Sequence, residues 1–528
     1  MAPVLLGSKL DWKYETIPNN VSCLAYRKQQ CRFSRGKCLG GSTSINFMMY
    51  TRGNPKDFDD LNISGWAWED VKPYFLKYEG LQDMEKLPKS SIPYHNTTGT
   101  MKVEFFTDSK NPWHPRIVEG FKQLKFPFNP DVNAQSKVGV TQVLGFVYDN
   151  LRMSTARGYL ARDDVNRVLK VAKWTRCTGV IINDDNTAQG VTVIQGLFER
   201  KRKIYARKEV ILSAGAIGTP QILMLSGIGP AEHLKEMNIT VKADLPVGEN
   251  MTDHLLPLVF VKVKDYSEIA ENLNISGITS VKKLLQICNP ISNCLTDVSA
   301  FMNSNCYDFE NRQLRNDSAE CEVATLQFIH AYIARFSISL DIFAKLFQRG
   351  TDLNDAVVNQ LQALSWDYAF ITVTPAILQP YSQGYVRLAS TDPLATPAIF
   401  PNFLSDERDL EEMVRAITLI EHLMDTPPFK KQNASVVRLE LPGCPDYASD
   451  RVGYWRCYSR HMTHTVYHAV GTAALGRALD ARLRVRGVRA LRVADLSAAP
   501  RLPRANTAAT AIAIGERAAD FILEDNAK

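Results

Sequence analysis

Residues 35–55 read RGKCLGGSTSINFMMYTRGNP, and no other stretch constrains the chain more. Two adjacent glycines, Gly40 and Gly41, lead into the short hydroxyls Ser42, Thr43 and Ser44, and Asn46 follows. Glycine enters left-handed conformations without a Cβ penalty, and a bare backbone beside small polar groups lets a flat or anionic molecule come close. A single Gly-Gly turn is otherwise only a turn, so its weight depends on what else the chain carries.

A related pattern lies at 210–230, VILSAGAIGTPQILMLSGIGP. Val210–Leu212 reads as a short buried strand and Gly215 as its exit. Thr219 and Pro220 read as a helix start with proline in the first position, and Gly227 as the stop. A strand–glycine–helix unit can aim backbone N–H groups at an anion. The plainer reading is an ordinary βα turn.

The chain has 528 residues, too many for one small core, so two or more domains are expected. A net charge of +6, with no basic stripe interleaved with aromatics, argues against a dedicated nucleic-acid binder. No apolar run reaches the roughly 18 residues of a membrane span. The amino end, MAPVLLGSKLDWKY, is too short in apolar residues for a secretory signal. The ten cysteines are scattered without a C-x-x-C pair, which argues against zinc and for some pairing. Asn20, Asn62, Asn96, Asn238, Asn274, Asn316 and Asn433 each open an N-x-S/T sequon. These two features suit an exported protein, although this chain carries no export signal.

Periodicity supplies the coarse elements. Residues 68–79 place Val71, Tyr74, Phe75 and Tyr78 at helical spacing. Residues 168–195 read as strands over VLKVAKW, TGVIIND and VTVIQ, followed by a basic hairpin, ERKRKIYARKE, with a solvated face. Residues 260–445 mix helical patterns at 322–349 and 405–424 with strands at 366–376 and 384–389. Between Gln432 and Ala527 there is no lysine, while arginine and alanine abound. That bias reads as a solvated surface rather than an anion-binding face.

Four segments then fall in order: GKCLGGSTSINFMMYTRGNPKDFD, SAGAIGTPQILMLSGIG, RHMTHTVYHAVGTAALG and LRVADLSAAP. Together they resemble the glucose–methanol–choline family of flavin oxidoreductases, most closely its insect glucose-dehydrogenase-like branch. Smaller matches (GWAWEDVKPYF, RMSTARGYL, LPVGENMTDH, QPYSQGYVRLASTDP) extend the likeness over nearly the whole chain.

The resemblance implies a mixed α/β fold. An FAD-binding, Rossmann-like domain lacking its first βαβ unit would take residues 1–57, 151–258 and 453–528. A substrate domain with a mostly antiparallel sheet flanked by helices would take 58–150 and 259–452. It also implies oxidation of a CH–OH group of a sugar or alcohol, with hydride passing to flavin N5 and a histidine taking the hydroxyl proton. His468 matches the family's histidine. Gly40, Gly41, Ser42, Asn46, Cys177, Asp495, Ser497 and Asn506 match positions lining FAD. The electron acceptor would be a quinone or oxygen, and a full-length relative would be secreted. His461, His464 and His468 could also be read as metal ligands, but no H-E-x-x-H or carboxylate pattern supports that. No G-x-S-x-G elbow or P-loop points to a hydrolase.

Two departures from the family stand out. The chain carries no G-x-G-x-x-G unit, the turn that holds a dinucleotide pyrophosphate at a helix N-terminus. Its start resembles a point well past that unit, which implies weakened FAD binding and an exposed sheet edge. The family's second catalytic His or Asn is replaced by Ala508, within ANTAAT. Two alternatives therefore stand beside a sugar or alcohol dehydrogenase: a degenerate, non-catalytic relative, and a steroid-alcohol (ecdysteroid-type) oxidase.

Overall fold

The computed structural model describes residues 5–106, 113–196, 199–264, 297–333, 335, 338 and 341–527. The sequon at Asn274 and the cysteines Cys288 and Cys294 lie outside the described residues.

Its largest element is an eight-stranded antiparallel sheet. The strand order is Ser435–Val436, Phe260–Val263, Ala369–Ile377, Leu326–Ile333, Val298–Met302 and Gly139–Gln142. Leu255–Pro257 joins it by pairing with both Ala369–Ile377 and Thr463–Thr465. The helices Glu407–Met424, Trp113–Gln123 and Arg451–Met462 supply buried apolar faces to the core of this sheet. Glu407–Met424 shows why: Leu410, Met413, Val414, Ile417 and Ile420 recur at helical spacing and are buried, and Asp406 caps the first turn through its bond from Arg408 N.

A second core forms around a small parallel pair. Val210–Leu212 runs beside Leu491–Val493 in the register Val210↔Leu491, Ile211↔Arg492 and Leu212↔Val493. Parallel neighbours cannot be joined by a tight hairpin, and the chain leaves Val210–Leu212 through the Gly215–Leu225 helix. Among the described residues Val210–Leu212 pairs with no other strand, and Ile211 is 41% exposed between two buried neighbours. Thr175–Ile182, Ala188–Gln195 and Arg200–Tyr205 form a separate antiparallel sheet, with the last strand exposed along its whole length. The mixed α/β class and the presence of a large antiparallel sheet agree with expectation.

Several local readings change. Within 322–349 the structure has the strand Leu326–Ile333 before the helix Asp341–Thr351, because LQFIHAYI is rich in β-branched and aromatic residues and pairs with a strand on either side. Residues 168–174 form no strand, and Val168 and Trp174 are exposed. The helix begins at Gly215, not at Pro220. Pro220 has no N–H for the carbonyl of Ala216, and Thr472 Oγ1 donates to that oxygen instead at 2.7 Å. The arginine-rich tail is not wholly a solvated surface. Arg492 is buried and paired with Glu209 and Asp525, tying the parallel pair to the carboxy-terminal helix.

Disulfides join Cys23–Cys31, Cys306–Cys321 and Cys444–Cys457, while Cys38 and Cys177 are free. Five sequon asparagines (Asn20, Asn62, Asn238, Asn316 and Asn433) are exposed. Among the described residues no helix is long and apolar enough to cross a membrane.

Candidate active site

The site is assembled where the antiparallel sheet meets the parallel pair. Thr463–Thr465 pairs with Leu255–Pro257 as far as Leu255↔Thr465, and pairing resumes at the bridge Thr252↔Val470. Between those points two residues, Asp253 and His254, face four, Val466 to Ala469. The surplus bulges outward and presents His468. Tyr467 supplies the sharp turn with φ of 63°, an uncommon left-handed value for a non-glycine residue.

Buried Asp253 ties the bulge down. Its Oδ1 accepts the His468 N–H at 2.6 Å, and its Oδ2 accepts from the Thr465 hydroxyl. Burial pushes the Asp253 carboxyl up to about 7. The His468 ring is held well below the usual imidazole range by burial first, and then by its neighbours His254 and Arg35. It is therefore neutral, the form that can accept a proton. Its Nδ1 lies 2.9 Å from His254 Nδ1.

Arg35 joins this bulge to the glycine-rich turn. Its guanidinium donates to Tyr467 O at 2.5 Å, and its charge also acts on Asp253 and Asp495. One residue on, Gly36 packs backbone to backbone on Gly41, where a Cβ would stand 2.1 Å from Gly41 O. Gly40 and Gly41 both have positive φ, 82° and 54°. A Cβ on Gly41 would meet nothing within 4 Å, so this face of the turn opens onto free space. The hydroxyls hold the turn's shape: Ser42 Oγ accepts from Gly36 N, Thr43 Oγ1 donates to Gly40 O, and Ser44 Oγ donates to Leu39 O. Asn46 Oδ1 accepts from Met48 N and from Arg152 at 2.8 Å, and Arg152 also donates to Thr43 O.

Asp495 follows the Leu491–Val493 strand and caps the Gly215–Leu225 helix. Its Oδ2 accepts from Gly215 N at 2.9 Å and from Thr219 Oγ1 at 2.6 Å. Its Oδ1 accepts from the backbone and hydroxyl of Ser497. The anion at this helix N-terminus is thus the protein's own carboxylate. Beside it Gly215, φ 79°, also faces open space.

Asn506 is buried, and its Oδ1 accepts from Thr51 Oγ1 and from Gln327 Nε2 of the antiparallel sheet. Ala508 opens the helix Ala508–Asn526. Cys177 lies apart on the strand Thr175–Ile182, its half-buried thiol 3.8 Å from Gly179 O. The three histidines of the metal reading have different partners: His461 Nδ1 meets Cys457 O, His464 Nε2 meets Tyr467 Oη, and His468 meets His254. Cys444 and Cys457, near His461, are bound to each other.

Asp253, His254 and Arg35 escaped the sequence reading. Arg35 lay in the first quoted stretch, and the two others close LPVGENMTDH. Only the strand register brings them to His468.

Two family models for GMC oxidoreductases match the chain, the amino-terminal one over residues 14–256 and the carboxy-terminal one over 380–515. The chain belongs to the GMC oxidoreductase family. Among GMC relatives, ecdysone oxidase of Bombyx mori is 32% identical over 98% of this chain and 75% of its own length. Glucose dehydrogenase [FAD, quinone] of Drosophila melanogaster is 30% identical over 97% of this chain and 78% of its own. The structure of Aspergillus oryzae formate oxidase superposes with a TM-score of 0.80 at 24% identity, covering 100% of this chain and 90% of that one, which establishes the shared fold.

Proposed function

We propose that this GMC oxidoreductase is an FAD-dependent enzyme that oxidises the CH–OH group of a small alcohol or sugar, with His468 as the base. The observation that carries the proposal is the bulge that presents a neutral, half-buried imidazole beside the glycine-rich turn.

The residues present fit the flavin end of FAD. Gly41 and Gly215 are two left-handed glycines with open space where a side chain would stand. Gly40, Gly41 and Ser42 would line the ring and its pyrophosphate side, with Asn46 held in place by Arg152. Asp495 and Ser497 would flank the ribityl chain, Asn506 would line the flavin, and Cys177 would lie toward the adenine end. When bound, FAD supplies a two-electron acceptor for the hydrogen leaving the carbinol carbon.

The chain's own residues do the acid–base work. His468 receives the hydroxyl proton at Nε2, and the Asp253 anchor fixes the backbone that aims it. Arg35 adds positive potential where alkoxide charge develops as the proton leaves. The antiparallel sheet walls the substrate side. In this reading the domains divide as the sequence implied, residues 1–57, 151–258 and 453–528 around the cofactor and 58–150 and 259–452 around the substrate. A quinone or oxygen would take the electrons onward. The three disulfides and exposed sequons support a secreted protein.

One observation favours a second reading, a non-catalytic relative: Ala508 offers no hydrogen bond at the second catalytic position. Two measurements on the purified protein separate them. The enzyme reading expects a flavin absorbance spectrum, and turnover of glucose or simple alcohols with an artificial electron acceptor. Flavin without turnover of any alcohol, sugar or steroid alcohol would favour the second reading, and absence of flavin would overturn the first.

A further inference from the structure

His254 is 1% exposed, with the carbonyl oxygens of Leu378 and Pro503 and the ring of His468 as its polar neighbours. Its Nε2 lies 3.1 Å from the carbonyl oxygen of Leu378, and its Nδ1 lies 2.9 Å from Nδ1 of His468. The two rings are nearly perpendicular, 84° apart, with centroids separated by 5.1 Å.

We propose that His254 is a positioning residue that fixes His468 in the tautomer with hydrogen on Nδ1 and the lone pair on Nε2. This rests on the reading of His468 as the base. A carbonyl oxygen only accepts, so the ring nitrogen facing Leu378 O carries the hydrogen. Burial holds His254 neutral, pushing its ring down to about 4, so its other nitrogen is bare. Two bare nitrogens at 2.9 Å would repel, so His468 Nδ1 donates. A neutral imidazole has one N–H, and Nε2 of His468 is left with the lone pair that a hydroxyl proton needs. Among the described residues Nε2 of His468 has no protein hydrogen-bond partner.

The backbone makes the relay rigid. Leu378 follows the strand Ala369–Ile377, His254 precedes Leu255–Pro257, and Leu255 pairs with both Ile377 and Thr465. Gln379 Nε2 also donates to Leu378 O, and to Leu502 O as well, so the acceptor is held from a second side. The tautomer of the base is thereby set by the substrate-side sheet, through a carbonyl–histidine–histidine chain.

The test is nitrogen-15 NMR of histidine-labelled holoenzyme, in which multiple-bond couplings distinguish the two tautomers. The His468 resonances are assigned by their loss in His468→Ala. Wild type should show His468 with hydrogen on Nδ1. His254→Asn, whose amide oxygen falls near the old Nδ1, should keep that state. His254→Leu should shift it toward hydrogen on Nε2 and lower kcat about tenfold or more with KM little changed. Hydrogen on Nε2 of His468 in wild type would overturn the proposal, as would a His254→Leu protein with unchanged tautomer and kcat. Should His254→Leu fail to fold, the wild-type spectrum alone decides. Full turnover by His468→Ala would instead defeat the base assignment and leave the tautomer result standing.

Discussion

Oδ1 of Asp253 accepts the backbone N–H of His468 at 2.6 Å, so the residue read as the base is anchored by a carboxyl group with a perturbed affinity for protons. Burial raises that carboxyl to about 7 in the folded protein. Its contribution to stability is complete below the unfolded value near 4 and is lost as pH rises through 7, a change on the order of 4 kcal/mol at most. Asparagine cannot ionise but keeps an acceptor for the His468 N–H. Thermal unfolding of Asp253→Asn at pH 5 and pH 8 should therefore show the variant gaining on wild type as pH rises. A constant difference between the two would contradict this account of the anchor.

The buried histidines act in the opposite direction. Burial pushes His254, His330 and His464 down to about 4. Each favours the folded state above the unfolded value near 6.5, and that contribution is lost as pH falls through 4, about 3 kcal/mol per ring. Three rings outweigh one aspartate, so melting temperature should drop steeply between pH 6.5 and 4.5. His330 donates from Nδ1 to Val298 O in the antiparallel sheet. His330→Asn, which keeps a donor there, should flatten the acid limb by about one proton's worth of slope in a calorimetric pH series.

Thr472 and Pro220 should be energetically coupled. The Thr472 hydroxyl occupies Ala216 O because Pro220 has no N–H to offer it. Thr472→Val strands a buried carbonyl and should cost about 1–3 kcal/mol. In a Pro220→Ala background the restored N–H can take that carbonyl, and the same substitution should cost clearly less. Denaturant unfolding of the four proteins in a double-mutant cycle measures the coupling, and additive effects would contradict it.

Ala508 should limit the rate. It opens the carboxy-terminal helix two residues after buried Asn506, and its methyl group offers no hydrogen bond to a substrate oxygen. Ala508→Asn adds a donor at a position where a helix start tolerates asparagine. The gain in kcat/KM should approach 100-fold, the reverse of losing one such bond in a transition state. Steady-state kinetics with the best alcohol or sugar substrate checks this, and no gain would show that the position is not addressed by substrate.

Much of the fold was legible because it was local. The helix Glu407–Met424, the strand Val210–Leu212 and the turn at Gly40 each follow from spacing or glycine within a dozen residues. The misreadings arose where distant partners decide. Leu326–Ile333 is a strand because Val298–Met302 and Ala369–Ile377 flank it, and Pro220 sits inside a helix because Thr472 takes the freed carbonyl. The segment at Gly215 read most plainly as an ordinary βα turn, and its helix N-terminus is capped by Asp495, 280 residues away in sequence. His468 was singled out by its motif. His254 and Asp253 were not, because only the unequal register between Leu255↔Thr465 and Thr252↔Val470 turns them toward it.

The central claim is that the imidazole presented by this bulge takes the substrate's proton beside a bound flavin. Anaerobic rapid mixing of holoenzyme with its best alcohol or sugar substrate, following loss of flavin absorbance in wild type and His468→Asn at matched flavin content, tests it most directly. The account predicts that the variant retains its flavin and loses absorbance at least 100-fold more slowly. Equal rates in the two proteins would contradict it.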